Sequence, residues 1–371
     1  MTKRLVSVIA ATSVVAWIVL SPGAAGAARP KCKGKRATIV GTNRSERIVG
    51  TPRRDVIVAK GGRDVILARN RADLICAGPG NDFVRAGGGN DAVYGQLGAD
   101  ILAGDAGADV IAGAAGAELL YGGDGNDTMR AGTGASSVMY GNRGNDRMFG
   151  GDGFDTLLGL EGNDRLHGGP GNFDVASFLF ADNPDGVSAN IADGTATGEG
   201  DDTLVGIESL QGSGGPDVLV GDAQFNVFYP MEGDDSVFGG PGGDLVSFIF
   251  APRAVTADVF FGQATGEGTD SLVSISDFQG SRFGDTLTGD PFENQLFGEA
   301  GNDTLSGGAS DDLLDGAEGT DTGDGGLPGP EGDRCFSIEH PTNCEITERR
   351  GGARQLSVLE ELLGRVERLL R

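Results

Sequence analysis

The chain has 371 residues, 67 of them glycine, and its 54 acidic residues outnumber 29 basic residues to give a net charge of −25. So much glycine argues against ordinary helical or doubly wound domains, because glycine weakens helix and strand interiors. The absence of a Gly-X-Y triplet excludes collagen, and the acidic charge argues against nucleic acid as a partner, since phosphate binding needs concentrated Lys and Arg. The abundant aspartate suggests divalent cations as partners, or serves solubility alone.

Residues 1–27 have the features of a signal peptide. A short basic stretch precedes an apolar run from Leu5 to Leu20, and Ala25-Gly26-Ala27 fits a small-residue cleavage site. A membrane anchor is the alternative, but the run is short for a bilayer span and the small residues follow it at once. The sequence therefore predicts a secreted, extracellular mature chain without a membrane span.

Four cysteines are candidates for disulfide bonds in an exported chain. Their spacing favours two local pairs, Cys32 with Cys76 and Cys335 with Cys344. Free thiols and zinc ligands are the alternatives, and zinc is disfavoured because the chain has no C-x-x-C motif and its two histidines are distant in sequence.

Residues 28–76 are predicted to form a basic N-terminal cap with the first coils. They contain thirteen Lys or Arg and four acids, a balance of +9. Arg63 directly precedes Asp64, and Arg71 stands at a turn position that carries glycine in later repeats. We expect these arginines to disturb the turn and to act as counter-ions of the aspartates in a metal-independent cap. A solvated basic patch, or one that contacts anionic cell-wall polymers, is the alternative.

A nine-residue repeat occupies the body of the chain. Acidic residues recur at every ninth position from Glu46 to Asp127, and after one inserted residue they continue from Asp146 to Asp164. An apolar residue stands two positions after each acid, and glycine stands two positions before most of them. The unit reads G-G-x-G-N-D-x-apolar-x, as in residues 122–130. Because the acidic, apolar and glycine positions keep the same spacing over so many units, the pattern indicates a genuine structural repeat.

This unit resembles the glycine-rich nonapeptide of RTX (haemolysin-type) proteins, and the resemblance covers roughly residues 37–325. The segments from Ala37 to Thr42 and from Asp73 to Cys76 are also similar to secreted actinobacterial calcium-binding β-roll proteins. The resemblance implies an all-β fold, a right-handed parallel β-roll or β-solenoid in which two units close one coil. It also implies one Ca²⁺ between neighbouring turns, held by aspartate carboxylates and turn carbonyls.

The physical chemistry of such a coil also favours a bound cation. Turns eighteen residues apart would lie one above the other, with strands about 4.8 Å apart, so their carboxylates would repel. A calcium-free β-solenoid, in which aspartate only shapes turns, is the alternative. The predicted ligands in the calcium β-roll, residues 77–171, are Asp82, Asp91, Asp100, Asp109, Asp127, Asp146, Asp155 and Asp164. In the later repeats the predicted ligands are Asp235, Asp244, Asp303, Asp312 and Asp321.

Residues 172–243 and 244–325 are predicted to be two related solenoid modules. The segment from Ala196 to Gly200 recurs from Ala264 to Gly268, an offset of 68 residues. We expect wider coils or a strand excursion in each module rather than a new globular domain. Four phenylalanines are assigned to core packing, with a ligand-binding ledge as the alternative: Phe178, Phe180, Phe248 and Phe250.

The C-terminal part is predicted to be a Cys-containing linker, residues 326–352, followed by a short amphipathic helix, residues 353–371. Leu356, Leu359 and Leu363 begin a 3-4 spacing that is typical of a helix. Such a helix would cap the open end of the roll, because unpaired strand edges aggregate. Dimerisation is the alternative, and a monomer is favoured.

No catalytic motif accompanies the repeat. The chain lacks H-E-x-x-H, G-x-S-x-G and a phosphate-binding loop, and it has no spare segment for an enzyme domain. The predicted function is a secreted, non-enzymatic calcium-binding protein that folds on binding Ca²⁺ and acts as a structural or interaction module. A cell-envelope adhesin is one alternative, and an enzyme acting on polysaccharide along a solenoid face is another.

Overall fold

The computed structural model describes residues 29–134, 136–171, 173–344 and 346–348, and all regular elements within them are β-strands. They form a parallel β-solenoid of about 17 turns, which confirms the predicted all-β fold of nine-residue repeats. The predicted signal peptide and the predicted helix at 353–371 lie outside the described residues. No helix with the length and hydropathy of a membrane span occurs in the described part of the chain.

The strands of the first half are short in the N-terminal coils and reach six residues in the central coils. In chain order they are β1 (Lys31–Cys32), β2 (Lys35–Arg36), β3 (Ile39–Val40), β4 (Arg47–Val49), β5 (Val56–Val58), β6 (Val65–Leu67), β7 (Leu74–Pro79), β8 (Phe83–Gly88), β9 (Ala92–Leu97), β10 (Ile101–Ala106), β11 (Val110–Ala115), β12 (Leu119–Asp124), β13 (Thr128–Thr133), β14 (Val138–Arg143), β15 (Arg147–Gly151), β16 (Thr156–Glu161) and β17 (Arg165–His167).

Most strands of the second half are again short. In chain order they are β18 (Val175–Ser177), β19 (Ser188–Asn190), β20 (Thr195–Thr197), β21 (Asp201–Val205), β22 (Ser209–Gln211), β23 (Val218–Val220), β24 (Val227–Tyr229), β25 (Ser236–Phe238), β26 (Asp244–Ser247), β27 (Thr256–Asp258), β28 (Gln263–Thr265), β29 (Thr269–Val273), β30 (Ile275–Gln279), β31 (Thr286–Thr288), β32 (Gln295–Phe297), β33 (Ala300–Gly301), β34 (Thr304–Ser310), β35 (Leu313–Asp315), β36 (Glu318–Gly319), β37 (Thr322–Pro328), β38 (Arg334–Phe336), β39 (His340–Thr342) and β40 (Ile346–Glu348).

The coils build two long sheets that face each other. One is a 16-stranded sheet that takes alternate strands of the regular repeats, beginning β4-β6-β8-β10. The other begins β3-β5-β7-β9 and continues through the remaining repeats. Strands pair in parallel with the strand one coil away, so Leu102 stands beside Val84 and Leu120. The nine-residue period therefore sets the register directly, because two repeats make one coil.

The core is a ladder of apolar side chains between the two sheets. Each central strand alternates partly exposed and buried residues, and the buried residue is the apolar one of the repeat. Leu102 and Ile111 face inward from opposite sheets and are fully buried. Burial of one large side chain stabilises by roughly 1.5–3 kcal/mol, so a long ladder is needed to offset the ordering of so many glycines.

Two strand excursions interrupt the second sheet, in the segments where wider coils or excursions were expected. After β18 the chain continues as β19, returns antiparallel as β20 and reverses again as β21, which pairs in parallel with β17. The strands β27, β28 and β29 repeat this arrangement in the second module. Because β19 then pairs with β23, the strands β19, β20 and β21 belong to the second sheet and do not form a separate domain.

The phenylalanines of the two modules divide between core and surface. Phe178 and Phe248 are buried, in agreement with the core-packing interpretation. Phe180 is 39% exposed, and Phe250 is half-buried with its ring centroid 5.7 Å from that of Tyr229. The four rings therefore do not form one exposed ledge.

Both predicted disulfides are present, and the second lies within the solenoid. Cys32 is bonded to Cys76, and Cys335 is bonded to Cys344. Strand β38 pairs in parallel with β35 and β40, and β39 pairs with β37. The solenoid thus continues through much of the segment that the sequence assigned to a linker, because apolar and cysteine side chains there still reach the core.

Candidate metal sites

The acids of the repeat form two buried rows along the edges of the solenoid. We number the unit G-G-x-G-x-D-x-apolar-x from 1 to 9, so that the acid is at position 6. The backbone N–H of Asp82 donates to Oδ1 of Asp100, one coil later, at 2.7 Å. On the other edge, Asp109 donates in the same way to Asp127 at 2.7 Å. One carboxylate oxygen of each acid therefore ties neighbouring coils together.

The second carboxylate oxygen is buried and has no hydrogen-bond partner among the described residues. This applies to all thirteen aspartates that the sequence predicted as ligands: Asp82, Asp91, Asp100, Asp109, Asp127, Asp146, Asp155, Asp164, Asp235, Asp244, Asp303, Asp312 and Asp321. It also applies to five acids that the sequence did not assign: Asp64, Asp73, Glu118, Asp174 and Asp270. Buried anionic oxygens without partners are energetically costly. Such a regular row of them indicates that a positively charged ligand belongs beside these oxygens.

The turn backbone supplies further oxygens beside each acid. A Cβ on Gly122, at position 1, would lie 2.5 Å from Oδ2 of Asp127 and 2.7 Å from the carbonyl oxygen of Gly141. At position 4, Gly98 has φ of +127°, and a Cβ there would lie 2.0 Å from the carbonyl oxygen of Gly80. At Gly122 and Gly98, glycine therefore permits the close approach of carbonyls from the neighbouring coil.

Burial of the acids without compensation shifts their protonation. Desolvation raises the pKa of Asp109 to about 7, opposed by the hydrogen bond from the Asp91 N–H and assisted by the neighbouring carboxylates. Desolvation also raises the pKa of both Asp164 and Asp235 to about 8. The metal-free fold thus holds a row of carboxylates that favour a proton or a cation at neutral pH.

The donor set fits a hard divalent cation. In the described residues no three His, Cys, Asp or Glu side chains converge on one point, so side chains alone would not complete a coordination shell. The carboxylate and carbonyl oxygens of the stacked turns are the type of ligand that Ca²⁺ takes, six to eight in number. Thiolate and imidazole, the ligands typical of structural zinc, are not part of these turns.

Among the described residues the arginines of the first coils form no ion pair with the repeat acids, so the predicted Asp–Arg pairing is absent; the charge of Arg54 only opposes the rise in the pKa of Asp73, which desolvation causes. The ion pairs within the described residues involve Arg85, Arg143 and Arg334 only. Asp64 and Asp73 keep a partnerless oxygen like the later acids. The prediction that a bulky cation disturbs the turn is also wrong at one position, because Arg71 keeps a positive φ of 81°.

Acids within the excursions extend the rows beyond the simple period. The Asp164 N–H donates to Asp202, 38 residues later, and the Asp235 N–H donates to Asp270, 35 residues later. Gly198 and Gly266 stand at position 2 of these turns with positive φ. The recurring A-T-G-E-G segment, which precedes each of these two acids, was the sequence signal that could have identified them. Sequence spacing does not place these acids in the row, because the antiparallel strands before them set their position.

Comparison with protein families agrees with this geometry. The chain matches the family described as "RTX calcium-binding nonapeptide repeat (4 copies)" at residues 40–75, 67–102, 94–129, 103–138, 140–172, 211–246 and 288–323, which together are more than half of its length. No individual curated protein matches the chain. These repeats imply Ca²⁺ binding, and the chain belongs to the family of RTX calcium-binding nonapeptide repeat proteins.

Proposed function

We propose that the chain is a secreted, non-enzymatic structural or interaction module whose β-solenoid folds when Ca²⁺ binds to its stacked turns. The observation that carries this proposal is the pair of rows of buried carboxylate oxygens without partners. Residues 1–27 support export, and the two disulfides are compatible with an oxidising compartment.

The proposed action of calcium follows from the geometry of the turns. Oδ2 of Asp127 and the carbonyl oxygen of Gly141 face a space that the glycine at position 1 leaves open. A bound Ca²⁺ supplies the positive charge that these oxygens lack. An ion that binds only the folded chain stabilises it by about 2.7 kcal/mol per site at one hundred times the dissociation constant. Many such sites act together, so folding is expected to be steep in calcium concentration.

Circular dichroism of the mature chain, residues 28–371, tests this function. We expect little β-structure in chelator at neutral pH and a steep gain of β-structure on adding Ca²⁺. Mg²⁺ at equal concentration should substitute poorly, because it demands a tighter octahedron and retains its waters. A spectrum that does not change across the calcium titration would reject the proposal.

A cell-envelope adhesin is the second candidate, favoured by an aromatic patch on the second module. Phe260 and Phe261, which are 65% and 71% exposed, line a groove of about 380 Å³ together with Pro291, and the next residue, Phe292, is 73% exposed. Exposed apolar patches commonly mark interaction surfaces. At the 68-residue offset the first module carries instead Ala192, Asp193 and Gln224. The patch therefore belongs to the second module and not to the repeat itself.

Binding to isolated cell walls tests the adhesin. The variant F260A/F261D places the residues of the first module in the second, and we expect it to reduce sedimentation of the protein with cell-wall polysaccharide in calcium. The matched variant A192G changes the equivalent turn without removing an aromatic ring and should bind as the parent does. Equal binding of both variants and the parent would reject the patch as an adhesive surface.

A further inference from the structure

Six turns of the solenoid differ from those described above. In each, position 2 is Thr, Ser or Asp, and its backbone N–H donates to the side chain at position 6. We call them closed turns, and they join Thr42 to Glu46, Thr51 to Asp55, Ser213 to Asp217, Asp222 to Asn226, Ser281 to Asp285, and Asp290 to Asn294.

A closed turn satisfies its own polar groups. The Ser213 N–H donates to Oδ2 of Asp217 at 2.6 Å, and the Ser213 hydroxyl donates to Oδ1 at 2.7 Å. The same hydroxyl accepts the N–H of Gly215 at 3.1 Å. The carboxylate oxygen that is partnerless elsewhere is thus already hydrogen-bonded within the turn.

The same short-range pattern occurs in all six closed turns. The side-chain oxygen at position 2 accepts the N–H of position 4, as Thr51 does from Arg53 at 3.2 Å and Asp222 does from Gln224 at 2.7 Å. The remaining four are Thr42 with Arg44, Ser213 with Gly215, Ser281 with Phe283, and Asp290 with Phe292. Such Ser, Thr and Asp turns are locally stable, because the side chain replaces a backbone acceptor.

The turns with a partnerless acid have a different backbone at position 2. We call them open turns, and their residue at position 2 has positive φ; in the turn of Asp174, which carries one inserted residue, Gly169 takes this place. This holds for Gly123 before Asp127, and also for side-chain-bearing residues such as Gln96, at 89°, and Leu160, at 68°. None of the six closed-turn residues at position 2 is among the described residues with positive φ. The conformation at position 2 therefore separates turns that keep an oxygen available from turns that do not.

The closed turns occur in consecutive pairs, and each pair makes one full coil. The first pair precedes the open turns of Asp64 and Asp73 at the N terminus. The second and third pairs follow the two excursions, which interrupt the edge rows. There, Val187 and Val255 of the excursions donate to Asp217 and Asp285, and the open turn of Asp235 stacks on Asp217. Each run of open turns therefore begins on a coil of closed turns.

We propose that the coils beginning at Thr42, Ser213 and Ser281 are calcium-independent starter coils, and that Ca²⁺ binds only the open turns stacked after them. The proposal rests on the calcium-dependent folding proposed above. It divides the turns into those in which position 2 donates a hydrogen bond to the side chain at position 6 and those in which the ion binds the partnerless carboxylate oxygen. In this chain, calcium is thus excluded from a turn whose position-2 N–H donates to the acid or amide at position 6; residue type alone does not decide this, because Asp105 at position 2 has a φ of 72° and leaves the turn of Asp109 open.

Two triple variants of the mature chain test the proposal. D55N/D217N/D285N alters acids of the starter coils, and D73N/D235N/D303N alters the acids that stack directly on them, 18 residues later. Both sets change an acid that accepts a hydrogen bond from the preceding coil. The starter-coil acids also accept hydrogen bonds from position 2 of their own turns, so any purely structural cost falls more heavily on the first set. Asparagine already occupies position 6 in the closed turns of Asn226 and Asn294.

Calorimetric titration with Ca²⁺ gives the deciding measurement, with circular dichroism as a second readout. We expect D55N/D217N/D285N to bind as many ions as the parent, and D73N/D235N/D303N to bind fewer and to need more calcium for folding. Equal loss of ions in both variants, or loss in the first alone, overturns the starter coils. If a triple variant does not fold, the single variants D55N and D73N make the same comparison. A parent chain that binds no calcium would instead reject the proposed function itself.

Discussion

At the scale of single residues, the repeat works because each position has one physical task. Position 8 fills the core, position 6 ties one coil to the previous one, and positions 2 and 4 let carbonyls approach. Leu120 and Asp127 show the division, since one is buried among apolar side chains and the other is buried with an oxygen left for a ligand. A substitution should therefore act according to its position in the unit rather than its place along the chain.

The glycines at position 4 provide a direct test at this scale. Gly98→Ala places a Cβ 2.0 Å from a backbone oxygen, at a φ of +127° that alanine rarely adopts. We expect it to lower the free energy of unfolding in saturating calcium by about 1–3 kcal/mol. Gly214→Ala is the control, because nothing lies within 4 Å of a Cβ there. Similar urea midpoints for both variants would contradict this account.

At the scale of elements, the N-terminal hairpin shows how the first coils are protected. Strands β1 and β2 pair antiparallel, and Cys32 bonds to Cys76 on β7. Cys76 points away from the core ladder and packs with Leu74 and Cys32 in a small outer cluster. The hairpin therefore covers apolar groups on the outside of the second sheet, where later coils carry more exposed residues.

The two disulfides should differ in their contribution to stability. Cys32–Cys76 closes a 44-residue separation, worth about 4 kcal/mol in the chain-entropy model, and Cys335–Cys344 closes 9 residues, worth about 2.7 kcal/mol. We expect C32S/C76S to lower the urea midpoint in calcium more than C335S/C344S does. Non-reducing peptide mapping of the parent is the control that both bonds form in solution. The opposite order of midpoints would show that the entropic account fails here.

At the scale of the whole molecule, the buried acid rows couple the metal-free fold to pH. The pKa values of Asp91, Asp100 and Asp146 are each raised to about 7, first by desolvation and then by neighbouring carboxylates. Because the folded chain binds more protons than the unfolded chain between about pH 4 and pH 7, its stability without metal falls as pH rises through that window. Protons and calcium thus relieve the same uncompensated charge.

Acid should therefore replace part of the calcium requirement. In chelator, we expect more β-structure by circular dichroism at pH 5.5 than at pH 8. In calcium, the midpoint of the folding titration should move to higher ion concentration as pH falls, because the acids must lose protons to bind the ion. Sedimentation velocity at both pH values controls for aggregation near the isoelectric point of about 4.3. Less β-structure in chelator at pH 5.5 than at pH 8 would contradict the assigned role of the buried acids.

The sequence by itself determined the period, and with it the two-sheet solenoid, the core ladder and both rows of acids. In a regular repeat, residues eighteen apart become neighbours in space, so sequence spacing alone places Asp82 beside Asp100. The disulfides were also accessible, since both are local in sequence. Only the tertiary structure decided where residues eighteen apart do not become neighbours. Asp164 meets Asp202 because antiparallel strands reorder the stack. The Ser213 N–H reaches Asp217 because the backbone conformation at position 2 aims it there, and a residue pattern does not specify that direction.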